Sequence, residues 1–167
     1  MRISLPRRSD PLTGLAGPAR FRRFSERALA TRHHTAVLLL EAHRESGREG
    51  GDQVLVEIAR VLRSCVPRPG VAFRLGGDEF AAVLPKINFP EQAYEVAGAI
   101  ASALSPVIVD GRLTPLSASI GLAVADPGEL THDELVYCAE LALRRARLRG
   151  PETRWAVWRE PTRRGAA

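Results

Sequence analysis

Two short apolar runs, residues 71–75 and 80–84, are separated by Gly76-Gly77-Asp78-Glu79, and no other segment constrains the chain as much. Apolar runs of strand length joined by a Gly/Asp-rich turn predict a β-hairpin. The glycines have a plain structural use there, because positive φ costs them nothing. The two acids have none. Asp78 and Glu79 stand side by side at a strand end, where their repulsion contributes nothing to folding. Paired carboxylates suit a hard cation such as Mg²⁺, which takes oxygen ligands, and neighbouring glycines let a ligand approach the backbone. The competing possibility is an acidic hairpin tip in solvent. A further acid, Glu41, ends a nearly continuous apolar run that starts at Thr35 and reads as a fully buried strand. If that strand neighbours the hairpin, the ~4.8 Å spacing of paired strands brings Glu41 within reach of a shared metal site. Carboxylate-clamped metal ions are a common arrangement for in-line attack on phosphate.

The rest of the chain reads as alternating helices and strands. Pro18 stands where a helix can start, and Phe21, Phe24, Ala28 and Leu29 recur at helical spacing to about residue 32. The Gly-rich segment 47–51 leads into Asp52 and an amphipathic helix through Val54, Leu55, Ile58, Val61 and Leu62. Pro67-Arg68-Pro69-Gly70 breaks it ahead of the hairpin. Pro90 opens a helix carrying Ala93, Val96, Ala97, Ile100 and Leu104. Residues 107–109, Asp110-Gly111 and a long arm from Leu113 through 117–124 predict a second hairpin. Thr131 with Glu134 makes a capping box for a helix through Leu135, Cys138, Leu141, Ala142 and Ala146. Gly150-Pro151 ends that helix, and residues 155–158 form a last strand. The order α-β-α-β-β-α-β-β-α-β, with no internal repeat, predicts an α+β domain with helices packed on a largely antiparallel sheet. Residues 1–9 read as an Arg-rich tail, 10–158 as one domain and 159–167 as a second tail.

A chain of 167 residues suits one sizeable core. No apolar run approaches the ~20 residues of a membrane span. The basic opening is not followed by an apolar stretch of signal-peptide length, so a cytoplasmic location is expected. Cys65 and Cys138 are isolated and fit reduced core thiols. The +5 net charge and pI near 10.2 are a flag for nucleic acid or a phosphate-rich ligand. Lys86 is the one lysine, however, and arginine supplies the rest, as coding bias in a GC-rich genome produces. No basic stripe interleaved with aromatics appears, and nucleic acid is not expected as the partner. His33-His34 fit a helix end or plain exposure, Trp155 and Trp158 fit packing, and Arg144, Arg145, Arg147 and Arg149 form a basic helix face.

The segment Arg74-Leu75-Gly76-Gly77-Asp78-Glu79-Phe80 resembles the signature of the GGDEF family of diguanylate cyclases. The resemblance extends in order over residues 10–158. Asp10-Pro11-Leu12-Thr13-Gly14-Leu15 resembles the family's opening motif, and Gly47-Arg48-Glu49-Gly50-Gly51-Asp52 its Gly-His-x-x-Gly-Asp segment. Ser117-Ala118-Ser119-Ile120-Gly121 matches its core strand, and Ala139-Glu140-x-Ala142-Leu143-x-x-Ala146-Arg147 its final helix. The resemblance implies a palm-like (ferredoxin-like) fold that binds GTP with Mg²⁺ or Mn²⁺ and works as a homodimer. Two GTP-loaded domains face each other and yield cyclic di-GMP. By the same resemblance Asp78 and Glu41 are metal ligands. Glu79 assists metal binding or activates the 3′-hydroxyl. Gly76 and Gly77 admit the nucleotide, Asp52 meets the guanine edge, and Arg147 replaces a phosphate-binding Lys. His43 is either loop filler or a nucleotide contact.

Several positions depart from the family. Glu41 replaces an Asp and is one methylene longer, and octahedral Mg²⁺ is strict about distance. The segment Ala42-His43-Arg44-Glu45-Ser46 is shorter than the family's, so its guanine-reading Asn and part of its phosphate cradle have no counterpart. Loss of such a reader weakens discrimination for guanine by ~1–3 kcal/mol. Arg48 replaces the usual His, Gly17 an Asn and Pro151 a phosphate-contacting Arg. Pro67-Arg68-Pro69-Gly70 lacks the Arg-x-x-Asp of the product-inhibition motif. Three functions follow as alternatives: a divergent diguanylate cyclase; a degenerate, non-catalytic domain that binds nucleotide or a protein partner; or a palm-type nucleotidyltransferase that joins other nucleotides.

Overall fold

A computed structural model describes residues 9–43, 51–150 and 154–158. Helix α1 (Pro18–Leu29) begins at the expected proline, with Gly17 extended at its N-cap, and buries Phe21, Ser25 and Ala28 along one face. Strand β1 (His34–Ala42) is buried without a break from Thr35 to Leu40, as a central strand covered on both faces must be. It runs one residue past the expected end at Glu41 and starts one residue before Thr35. Next come α2 (Gly51–Cys65), β2 (Val71–Gly76), β3 (Glu79–Ile87) and α3 (Pro90–Ala103). The side-chain carbonyl of Gln92 accepts the N–H groups of Asn88 and Phe89 and fixes the start of α3.

The second hairpin is shorter than expected. Strands β4 (Val107–Val109) and β5 (Arg112–Thr114) close on Asp110-Gly111, both with positive φ, and form a two-stranded sheet of their own. Pro115 interrupts the arm, since proline cannot donate to a ladder. Strand β6 (Ala118–Ala125) then pairs with β1 instead. Helix α4 (His132–Arg147) is capped by the Thr131 hydroxyl, which accepts from the Glu134 N–H at 3.2 Å. Strand β7 (Arg154–Val157) is the last described strand.

The main sheet has the order β2-β3-β1-β6-β7. All pairs are antiparallel except β6 with β7, so the fold is the expected α+β class. Even-numbered residues of β1 pack with α2 and α3, and odd-numbered ones with α1 and α4. The first hairpin anchors both layers. Phe80 is fully buried on the α2/α3 side, and Phe73 is buried on the other side, 5.4 Å ring to ring from Phe21. Each such side chain contributes about 1.5–3 kcal/mol by leaving water. Helix α4 lies so close to β6 that a Cβ on Gly121 would stand 2.3 Å from both the Ala139 carbonyl oxygen and the Leu143 nitrogen.

Candidate active site

The sheet order sets the site. Because β1 sits between β3 and β6, its C-terminal end faces the acidic turn on one side and the Ser117–Ser119 segment on the other. Glu41 is directly opposite Glu79 in the β1–β3 register and directly opposite Ser119 in the β1–β6 register. The Ala42 N–H donates to the Asp78 carbonyl at 2.8 Å, which ties the turn to the strand end. The expectation that β1 adjoins the hairpin therefore holds: Glu41 and Glu79 share a register position, and the backbone of Asp78 is tied to the same strand end.

Like charges directly opposite on adjacent strands destabilise a sheet. Here an arginine offsets that repulsion. Arg147, at the end of α4, forms an ion pair with Glu41, its guanidinium Nη2 against Oε2. The partners are 42% and 33% exposed, so the pair is reached by solvent. A base in the last turn also suits the negative end of the helix dipole.

At the turn, Gly76 and Gly77 have φ of +128° and +48°, and a Cβ on either would meet nothing within 4 Å. Their backbone leaves open space beside the acids. Arg74 supports the turn from below. It donates to the Gly77 carbonyl at 3.0 Å and to both carboxylate oxygens of Asp10 at 3.0 Å. Asp10 also accepts the Thr13 N–H and hydroxyl at 2.8 and 2.7 Å. Burial by itself would raise the pKa of Asp10, but the Thr13 hydrogen bonds and Arg74 together hold it below the ordinary aspartate value.

His43, one residue past β1, has its Nδ1 3.1 Å from the Ser117 hydroxyl and its Nε2 2.8 Å from that of Ser119. Its N–H donates to the Ser117 carbonyl at 2.9 Å. The ring bridges β1 to β6 rather than filling a loop, and Ser119 is fully buried beneath it. Asp52 is exposed in the first turn of α2, where an acid also favours the helix dipole. The positions of Arg48, of the preceding cradle segment 44–50 and of Pro151 lie outside the described residues. Arg144, Arg145 and Arg149 are exposed. Arg74, Asp10, Ser117 and Ser119 join the site region without having been assigned roles from sequence. The motifs containing them were the available signal.

The donor set is chemically right for Mg²⁺ or Mn²⁺, being all carboxylate oxygen. Among the described residues, however, no group of three His, Cys, Asp or Glu side chains is gathered closely enough to hold a metal alone. Mg²⁺ is commonly bound through one or two carboxylates, water and substrate phosphates rather than a protein cage. The residues fit an ion that arrives with a polyphosphate. A surface depression lined by Tyr94, Asp126, Glu129 and Trp158 lies at the opposite end of the sheet and contains none of the predicted site residues. There Asp126 is 2.9 Å from His34 Nδ1, which opens β1 rather than capping α1.

Comparison with known proteins matches residues 8–153 to the family model described as "Diguanylate cyclase, GGDEF domain". The diguanylate cyclase DgcM of Escherichia coli K12 is 32% identical over 148 residues, which is 83% of this chain and 35% of that protein. An uncharacterised signalling protein of Caulobacter vibrioides is 38% identical over 112 residues, 66% of this chain and 14% of that protein. The chain thus spans about a third or less of these relatives' lengths. The GGDEF domain of TpbB from Pseudomonas aeruginosa superimposes with a TM-score of 0.82 at 29% identity, covering 90% of this chain and 94% of that one.

Proposed function

The chain belongs to the GGDEF family of diguanylate cyclase domains, and from that premise we propose that it condenses two GTP into cyclic di-GMP with Mg²⁺ or Mn²⁺, acting as a homodimer. One observation carries this reading. The Asp78-Glu79 turn and Glu41 meet at the end of one buried strand, with open backbone at Gly76 and Gly77 beside them.

Each residue then has a task. Gly76 and Gly77 let the triphosphate lie close to the turn. Asp78 and Glu41 would hold the divalent ion, whose chemistry when bound would be to neutralise charge at the phosphates. Glu79, exposed at the start of β3, accepts the 3′-hydroxyl proton. The 3′-oxygen forms its bond to the α-phosphorus of the GTP on the facing domain, and the bond to pyrophosphate breaks. Arg147 binds phosphate with a planar, two-pronged donor where the family has a point charge. Asp52 meets the guanine edge. His43 positions the end of β1 against β6 and so sets Glu41.

Turnover measured against protein concentration tests the reading. Specific activity is expected to rise with concentration, because each dimer half supplies one GTP, and Glu79→Gln is expected to lower turnover by about 10²–10⁴-fold. Nucleotide binding without turnover in the unaltered protein favours the non-catalytic alternative, in which the domain holds nucleotide or a protein partner. The missing guanine-reading Asn supports that second reading. Preference for ATP or mixed nucleotides instead favours a palm-type enzyme of other specificity.

A further inference from the structure

We infer that Arg147 is a resident cation on Glu41 and that the pair acts as a latch, released only when metal and polyphosphate arrive together. The inference rests on the proposed function and concerns the regulation of that same site. Its basis is that the carboxylate assigned to the metal and the guanidinium assigned to the phosphate are engaged with each other. Glu41 needs a positive partner because Glu79 stands directly opposite it.

The charges determine what can open the pair. A divalent cation alone would take Glu41 but leave the Arg147 guanidinium without its carboxylate beside a newly bound positive ion. A nucleotide alone would take Arg147 but bring its own negative charge beside Glu41 and Glu79, which stand directly opposite each other. A metal–nucleotide complex satisfies both at once: the carboxylate exchanges guanidinium for metal, and the guanidinium exchanges carboxylate for phosphate. Both side chains are partly exposed, so the exchange can proceed without opening the core. The absence of a three-ligand cage among the described residues fits the same logic, since little holds a metal before phosphate arrives.

The test uses binding, with the whole chain and two probes measured separately. Mn²⁺ alone is titrated by the loss of its free-ion paramagnetic signal, and a non-hydrolysable GTP analogue is titrated in chelator by calorimetry. Arg147→Gln is expected to bind Mn²⁺ alone about 5–50-fold more tightly than the unaltered protein, within the usual range of site coupling. Glu41→Gln is expected to gain a similar factor for the metal-free analogue, because Arg147 is released. Arg147→Lys keeps the pair and is expected to gain less than Arg147→Gln. A structural role for the pair predicts no gains of this kind. Unchanged or weakened Mn²⁺ affinity in Arg147→Gln overturns the latch, and if cyclic di-GMP is still formed the proposed function survives that failure. Absence of binding by either probe in every variant, with no product, overturns both.

Discussion

Asp10 shows how far a single carboxylate can organise this fold. Its hydrogen bonds to Thr13 build the local turn, and its contact with Arg74 joins that turn to the strand leading into the acidic hairpin. Asp10→Asn removes the charge from this set and is expected to cost about 1–3 kcal/mol of stability at neutral pH, measured by urea denaturation. Because the folded pKa is depressed, Asp10's contribution is fully present above about pH 3.9 and is lost as pH falls through the lower folded value. His132 has the opposite relation to its proton. It is buried edge-on to Phe21 at 5.0 Å, and its Nδ1 has no hydrogen-bond partner among the described residues. Burial and the nearby Arg22 charge lower its pKa, against smaller opposing effects of Asp133 and Glu26. The unfolded chain therefore binds the proton first, and stability is expected to fall as pH drops below about 6.5. His132→Leu should flatten that part of the stability–pH curve; an unchanged slope would assign it to other groups. Asp10 was legible as part of a turn, but its partner lies 64 residues away, and only folding brings Arg74 to it.

At the scale of elements, local chemistry was informative wherever period and punctuation agreed. The proline at the start of α1, the acidic hairpin, the Asp-Gly turn and the Thr131 cap all lie where side-chain chemistry predicts. The division of the second hairpin's long arm was not legible. A strand that leaves one sheet and joins another can keep the same apolar pattern throughout, and Pro115 marks only the break, not the destination. Glycines illustrate the same contrast between pattern and packing. Gly121→Ala would drive a methyl group into the backbone of α4 and is expected to lose at least about 1–3 kcal/mol. Gly98, inside α3, has nothing within 4 Å of its missing Cβ. Gly98→Ala is expected to gain about 0.5–1 kcal/mol from helix propensity. Thermal melts of the two variants should move in opposite directions, and a shared direction would contradict this description of the α4–β6 contact.

Across the whole molecule, the sheet order collects residues from distant parts of the sequence at one edge. Glu41, the Asp78-Glu79 turn, the paired serines under His43 and Arg147 come together there because β1 is central and α4 crosses its end. The carboxylates and glycines of this site were legible as a motif. Their counter-ion was not, because Arg147 read from sequence as a phosphate ligand, and only the fold shows it engaged with Glu41. No described helix is long and apolar enough to cross a membrane. Metal-dependent nucleotidyl transfer at this edge, as proposed, is read most plainly from the products. Purified protein would be incubated overnight with GTP and Mg²⁺ or Mn²⁺, beside an Asp78→Asn control, and the products read by mass spectrometry. Cyclic di-GMP is expected from the unaltered protein and none from Asp78→Asn. Intact GTP at high protein concentration, or equal product from both, would contradict it.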